Sequence, residues 1–115
     1  GIEPSSGLTP EQLYDRQWAL AVLQHVMERL EEESVRAGKA VQFRQLKGFL
    51  IGERGNTTYA LAARTLQMTE AAARKAASRL RQRYRELLRG EIAQTVTRPE
   101  EVDDEIRNLF TALGL

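Results

Sequence analysis

The sequence contains no cysteine, a single histidine, three prolines and few aromatics: one tryptophan, three tyrosines and three phenylalanines among 115 residues. Without cysteine there can be no disulfide and no thiolate metal site, which suits a reducing cytoplasm. His25 has no partners of the kind a metal needs and lies near an apolar stripe, so it reads as a structural or surface residue; no metal and no cofactor is expected. No apolar run is long enough to span a membrane, and no signal peptide is present. Gly1 stands where an initiator methionine would, which suggests a missing upstream segment. Gly48, Gly52 and Gly55 do not make a phosphate loop, because no Gly-Lys-Ser/Thr follows them. Strand alternation, internal repeats and low-complexity tracts are also missing. No nucleophile stands beside a base, so no catalytic residues and no enzyme are expected.

What is present is charge in an ordered pattern. The net charge is only +1. Residues 1–36 carry 3 Lys/Arg against 7 Asp/Glu, and residues 91–115 carry 2 against 6. Between them, residues 37–68 carry 5 against 1 and residues 69–90 carry 7 against 2. A basic middle of +9 is thus flanked by two acidic ends of −4 each. A basic zone of this kind is the footprint of a polyanion-binding module. At 42% hydrophobic residues the chain should fold rather than remain disordered, and its length suits one domain with a modest core.

Helical periodicity accounts for the chain from residue 9 onward, and the expected class is all-α, with about five helices. Residues 1–8 contain Pro4, two serines and two glycines and read as a flexible tail or linker. Thr9-Pro10-Glu11-Gln12 is a helix start: a capping threonine, proline at the first helical position and glutamine at the third. That helix should end near Ala37, with Gly38 as its stop. Trp18, Val22, Leu23, Val26, Met27 and Leu30 form its buried stripe, and Glu28, Glu31, Glu32 and Glu33 its solvated face. A second helix is expected over Val41–Ile51 with Phe43, Leu46, Phe49 and Leu50 inward, followed by a loop over Gly52–Thr57. After Thr97-Arg98-Pro99 a last helix, 97–115, carries Val102, Ile106, Leu109, Phe110 and Leu113 on one side. Asp103, Asp104 and Glu105 lie on its solvated face. Trp18, Phe43, Phe49 and Phe110 read as core.

Residues 58–89 organise the rest. A short helix, a tight turn at Gln67-Met68 and a longer basic helix from Thr69 make the pattern of a helix-turn-helix, within a domain spanning 9–96. Thr58 and Thr69 can each cap a helix, and Glu70 favours the positive end of the second helix dipole. In that second helix Ala73, Ala76, Ala77, Leu80, Tyr84, Leu87 and Leu88 should face inward. Glu70, Ala71, Arg74, Lys75, Ser78, Arg81 and Arg85 face outward, with Arg79 at the edge. The helix should pass Gly90 and continue through Ile92 toward Val96. An arginine-rich helix is commonly a solvated face; here the preceding short helix, the turn and the acidic flanks favour nucleic acid.

Tyr59-Ala60 through Leu66, then Met68-Thr69-Glu70, then Arg79-Leu80-Arg81-Gln82-Arg83-Tyr84-Arg85-Glu86-Leu87-Leu88-Arg89 resemble region four of bacterial RNA polymerase sigma factors of the extracytoplasmic-function (ECF) type. The flanks Tyr14-Asp15-Arg16-Gln17-Trp18-Ala19-Leu20, Glu91-Ile92-Ala93-Gln94-Thr95-Val96 and Glu101-Val102-Asp103-Asp104-Glu105 resemble one ECF-like subgroup, so the likeness covers nearly the whole chain. It departs from the pattern at Gln67, where the turn usually has glycine, and at Leu61, where a glutamate would complete a capping box. Ala71 replaces a common glycine, Ala73 and Ala77 replace larger residues, and Lys75 lies where an apolar residue is usual.

The resemblance implies that the second helix reads a minus-35-type promoter element in the major groove and that the domain docks on the flap of the polymerase β subunit. It implies that Thr69, Glu70, Ala71, Arg74, Lys75, Ser78 and Arg79 face DNA, with Thr58, Tyr59 and Arg83 near phosphates. Arginine or lysine can bond guanine, Glu70 can accept from cytosine and Ala71 can meet a thymine methyl. Region two of the family is not among these residues, so the chain alone should not initiate transcription. A competing reading is a protein-interaction module, in which the basic helix binds an acidic partner, such as an anti-sigma or other regulatory protein, or is masked by the chain's own acidic termini.

Overall fold

The computed structural model describes residues 7–51 and 57–115, apart from the side chain of Ile51. Most of the expected N-terminal tail and of the expected loop at 52–57 lies outside the described residues. Among the described residues there are six α-helices and no strand: α1 (Pro10–Arg36), α2 (Ala40–Leu46), α3 (Gly48–Ile51), α4 (Tyr59–Leu66), α5 (Glu70–Ala93) and α6 (Val102–Ala112), the last preceded by a 3-10 turn at Pro99–Glu101. None of these helices is long and apolar enough to cross a membrane.

Helix ends are set by the local groups that satisfy orphan backbone donors and acceptors. At the start of α1 the Thr9 hydroxyl accepts from the Gln12 amide (3.1 Å) while the Gln12 side chain accepts from the Thr9 amide (2.8 Å), a reciprocal capping box. At its end Gly38 takes φ +75°. The Lys39 amide then donates to the Ser34 carbonyl at 2.8 Å and the Gly38 amide to the Val35 carbonyl at 3.0 Å, closing a Schellman turn.

The helix expected over Val41–Ile51 is instead two short ones. Lys47 separates α2 from α3 while keeping helical angles (φ −59°, ψ −32°). The Leu50 amide bonds the Lys47 carbonyl at 3.0 Å, so the last turn tightens to three-residue spacing. Phe43 and Leu46 are nonetheless buried and Phe49 and Leu50 half-buried, as their spacing requires.

The chain divides into two compact units, with boundaries inside α1 and α5. Met27–Leu87 form one; Leu88–Leu115 with the described residues up to Val26 form the other.

In the unit Met27–Leu87, Leu46, Ala62, Ala76 and Ala77 form one buried cluster, with Phe49, Tyr59, Leu66 and Leu80 packed around it. In this part of α5 the fully buried positions are the alanines Ala73, Ala76 and Ala77. Along α5, Ala73, Ala76, Ala77, Leu87 and Leu88 are buried and Leu80 and Tyr84 half-buried, the face expected from helical spacing. Arg81 departs from its expected outward place and is half-buried.

In the other unit the buried residues are Ala19, Val26, Leu88, Ile92, Val102 and Leu109. Phe110, expected in the core, is 36% exposed. His25 is largely exposed, with Nε2 3.4 Å from the Glu91 carboxylate. Asp103 accepts from Arg89 at 2.6 Å, which holds its carboxyl below the usual carboxylate range.

α5 passes through Gly90 and stops at Ala93, short of Val96. A Cβ added at Gly90 would meet nothing within 4 Å. Gly90→Ala should therefore raise stability by about 0.5–1 kcal/mol through helix propensity alone. Gln67 is the only described non-glycine residue with positive φ (57°), so Gln67→Gly should gain about 0.5–1 kcal/mol by relieving the left-handed backbone. Urea unfolding checks both; a loss of stability in either variant would contradict the local account.

Candidate nucleic-acid interface

The interface is built from α4, the turn after it and the first three turns of α5, all within Met27–Leu87. Thr58 is extended (φ −117°, ψ 164°) and its hydroxyl accepts from the Leu61 amide at 3.1 Å. This is the cap the sequence predicts, made without a glutamate at Leu61. At the other end of α4, Gln67 is left-handed. Its amide donates to the Arg64 carbonyl (3.2 Å) and the Met68 amide to the Ala63 carbonyl (3.0 Å). That pair is a Schellman turn with glutamine in the usual place of glycine. The next residue but one, Thr69, caps α5 through its hydroxyl, which accepts from the Ala72 amide at 3.0 Å. Each cap leaves the two amides before the capped one without an intrahelical acceptor, as donors for an anion.

The turn brings α4 and α5 together so that side chains from both meet. Phe49 of α3 stacks on Tyr59, with ring centroids 4.1 Å apart and planes 10° from parallel. The Arg74 guanidinium lies over the Tyr59 ring, 4.5 Å from its centroid, and the same guanidinium bonds Glu70 at 2.9 Å. Arg81 donates to the Tyr59 hydroxyl at 3.2 Å, which explains why it turns inward. Sequence spacing alone does not reveal Tyr59 as the hub of these contacts, since its partners lie 10, 15 and 22 residues away.

Beyond that hub, Ala71, Lys75, Ser78 and Arg79 are exposed. The side chains of Lys75 and Arg79 form no ion pair among the described residues. Glu70, by contrast, has one carboxylate oxygen bonded by Arg74. Arg83 is also engaged: it donates to both oxygens of Glu33, at 2.8 and 2.6 Å, and to Glu86 at 3.2 Å. Glu33 is thus more than part of a solvated acidic face. These bonds hold the Glu33 carboxyl below its usual range against the opposing effect of partial burial, and they raise Arg83 further above its already high value. Arg79 and Arg83 share with Lys39 and Glu33 a groove of about 200 Å³. Three cations facing one carboxylate leave that groove positive.

The charge pattern sharpens when counted by unit. Met27–Leu87 holds 13 Lys/Arg against 7 Asp/Glu, a net +6; the remainder holds 4 against 9, a net −5. No group of three His, Cys, Asp or Glu side chains among the described residues is placed to hold a metal ion. No protein-family model, curated protein or solved structure matches this chain.

The Glu33–Arg83 pair makes a testable contribution. A bidentate pair this exposed contributes little, because solvent screens it. Because the folded-state value of Glu33 is depressed, the contribution is complete above the usual glutamate pKa, about 4.3, and is lost as pH falls through the depressed value. Glu33→Gln should therefore be slightly less stable than the parent at pH 7, and the gap should close on acidification below about pH 4. Paired urea titrations at pH 7 and pH 3 check this; an unchanged gap at pH 3 would show that the ion pair is not its source.

Proposed function

We propose that this chain binds promoter DNA as the C-terminal, region-four domain of an ECF-type sigma factor, reading a minus-35-type element in the major groove. One observation carries the proposal: a capped helix, a Schellman turn at Gln67 and a second capped helix present exposed Ala71, Lys75, Ser78 and Arg79, with both cations unpaired among the described residues, from a unit of net charge +6. In a helix-turn-helix the early turns of the second helix meet base edges, while flanking residues and helix N-termini hold phosphates. In this reading Lys75, Ser78, Arg79, Arg74 and Ala71 face bases, Thr69 and Glu70 form the leading edge, and Thr58, Tyr59 and Arg83 lie toward the backbone. The polymerase β flap is the protein partner, the cytoplasm is the compartment, and the role is binding rather than catalysis.

Glu33 introduces a second reading. An acidic side chain of α1 already occupies Arg83 of the basic helix, as an acidic regulatory partner, including an anti-sigma protein, would occupy its neighbours. The two readings differ in salt and sequence dependence. Selection of duplexes from a random pool, with and without core polymerase, should recover a defined motif. The affinity for that motif should fall steeply with salt, as displaced counterions require. Lys75→Ala should cost roughly 1–3 kcal/mol and relax the preference at one position. Arg83→Ala should weaken all sequences alike, by less than loss of an unpaired cation because Glu33 already holds it. Recovery of no motif at low salt, from protein of native helicity, would favour the protein-interaction reading.

A further inference from the structure

We infer that Tyr59 is a positioning residue, which with Glu70 holds the Arg74 guanidinium ready to read one guanine of the bound duplex. The inference rests on the DNA-binding reading and goes beyond it by assigning how one base is chosen.

The Tyr59 ring is itself fixed. Phe49 stacks on it at 4.1 Å between centroids, 10° from parallel, and Arg81 holds its hydroxyl at 3.2 Å. Arg74 also sits over the ring, 4.5 Å from the centroid to the guanidinium carbon. Phe49 and Arg74 cannot share one face at these distances, so they occupy opposite faces. The resulting stack of Phe49, Tyr59 and Arg74 draws one member each from α3, α4 and α5.

Arg74 is thereby held twice, by the ring and by a carboxylate on the preceding turn of its own helix, Glu70, at 2.9 Å. A guanidinium has five N–H donors in a planar fork. One is spent on Glu70, and the side chain remains 59% exposed, so enough donors remain for a bidentate contact to guanine O6 and N7. An arginine held at two points loses less freedom on binding than a free one, and a positioned fork discriminates by geometry rather than by charge. Lys75, one residue on, has no such support. It is exposed and unpaired among the described residues, and it reaches a base edge as a flexible ammonium rather than as a held fork.

The test uses selection from random duplexes with the intact chain and with Tyr59→Phe, Tyr59→Leu, Arg74→Ala and Arg74→Lys, each checked for helicity by circular dichroism. The parent should select a guanine at a position where Arg74→Ala loses roughly tenfold or more of its preference. Tyr59→Phe, which keeps the ring, should retain that preference. Tyr59→Leu should lose most of it at the same position while selecting the others normally. Arg74→Lys, which keeps the charge but neither the plane nor the fork, should lose the same preference; if leucine at 59 lowers helicity, the positioning role is decided by the DNA-free readout in the parent, where absence of a ring shift on Arg74 would overturn it. A DNA-free readout accompanies these. In the parent, the Arg74 side-chain proton resonances should be shifted upfield by the Tyr59 ring, and Tyr59→Leu should abolish the shift.

Selection by the parent of no sequence at all would overturn the DNA-binding reading and this inference with it. A parent that selects a motif while Tyr59→Leu and Arg74→Lys keep its full guanine preference would overturn the inference alone.

Discussion

One buried cluster of small residues around a leucine is the constraint on which the Met27–Leu87 unit depends. Ala76 and Ala77 of α5 and Ala62 of α4 meet around Leu46, all at 2% exposure or less. Larger side chains in these places would push the helices apart, since a packed core resists added volume. Three residues, Gln67, Met68 and Thr69, join α4 to α5, and the chain reverses there through a left-handed residue. It does so at Gln67, although glutamine is poorly suited to it. The cost of a strained residue is accepted where the core already decides the geometry.

From that packing the rest of the interface follows. With the inner face of α5 given to alanines and leucines, its arginines and lysine must lie outward or at the edges. The edges are not passive. On one side Arg81 and Arg74 engage Tyr59; on the other Arg83 engages Glu33. Only the middle of the outward face, around Lys75 and Arg79, remains without a partner among the described residues. The helix is thus graded: held cations at its margins and open ones at its centre. An interface that must meet a polyanion in a defined register benefits from both, because phosphate contacts set position and base contacts set sequence.

Much of this is legible in the sequence because the controlling interactions are local. Thr9 with Gln12, Thr58 with Leu61 and Thr69 with Ala72 are three residues apart, and periodicity places the inward face of α5 residue by residue. The Gly38 stop follows from composition. Other features depend on partners brought together by folding. Glu33 and Arg83 are 50 residues apart, and the Phe49, Tyr59 and Arg74 stack joins three helices. The break at Lys47 carries no proline or unusual backbone angle, so no residue there announces it. Phe110 shows the converse limit: helical spacing marks it as apolar-face, yet it lies at the margin of that face and stays over a third exposed. The division of charge is visible as acidic ends and a basic middle; its second step, at 90/91, lies close to the unit boundary in α5, whereas the boundary in α1 falls within an acidic stretch where composition does not change.

The central claim is that the early turns of α5 meet a nucleic acid duplex. Backbone amide chemical-shift mapping during titration with a selected duplex tests it most directly. The account predicts that the largest changes fall on Thr69–Arg79, with a second group at Thr58 and Tyr59. Changes confined to Leu88–Leu115, or none at saturating duplex, would contradict it.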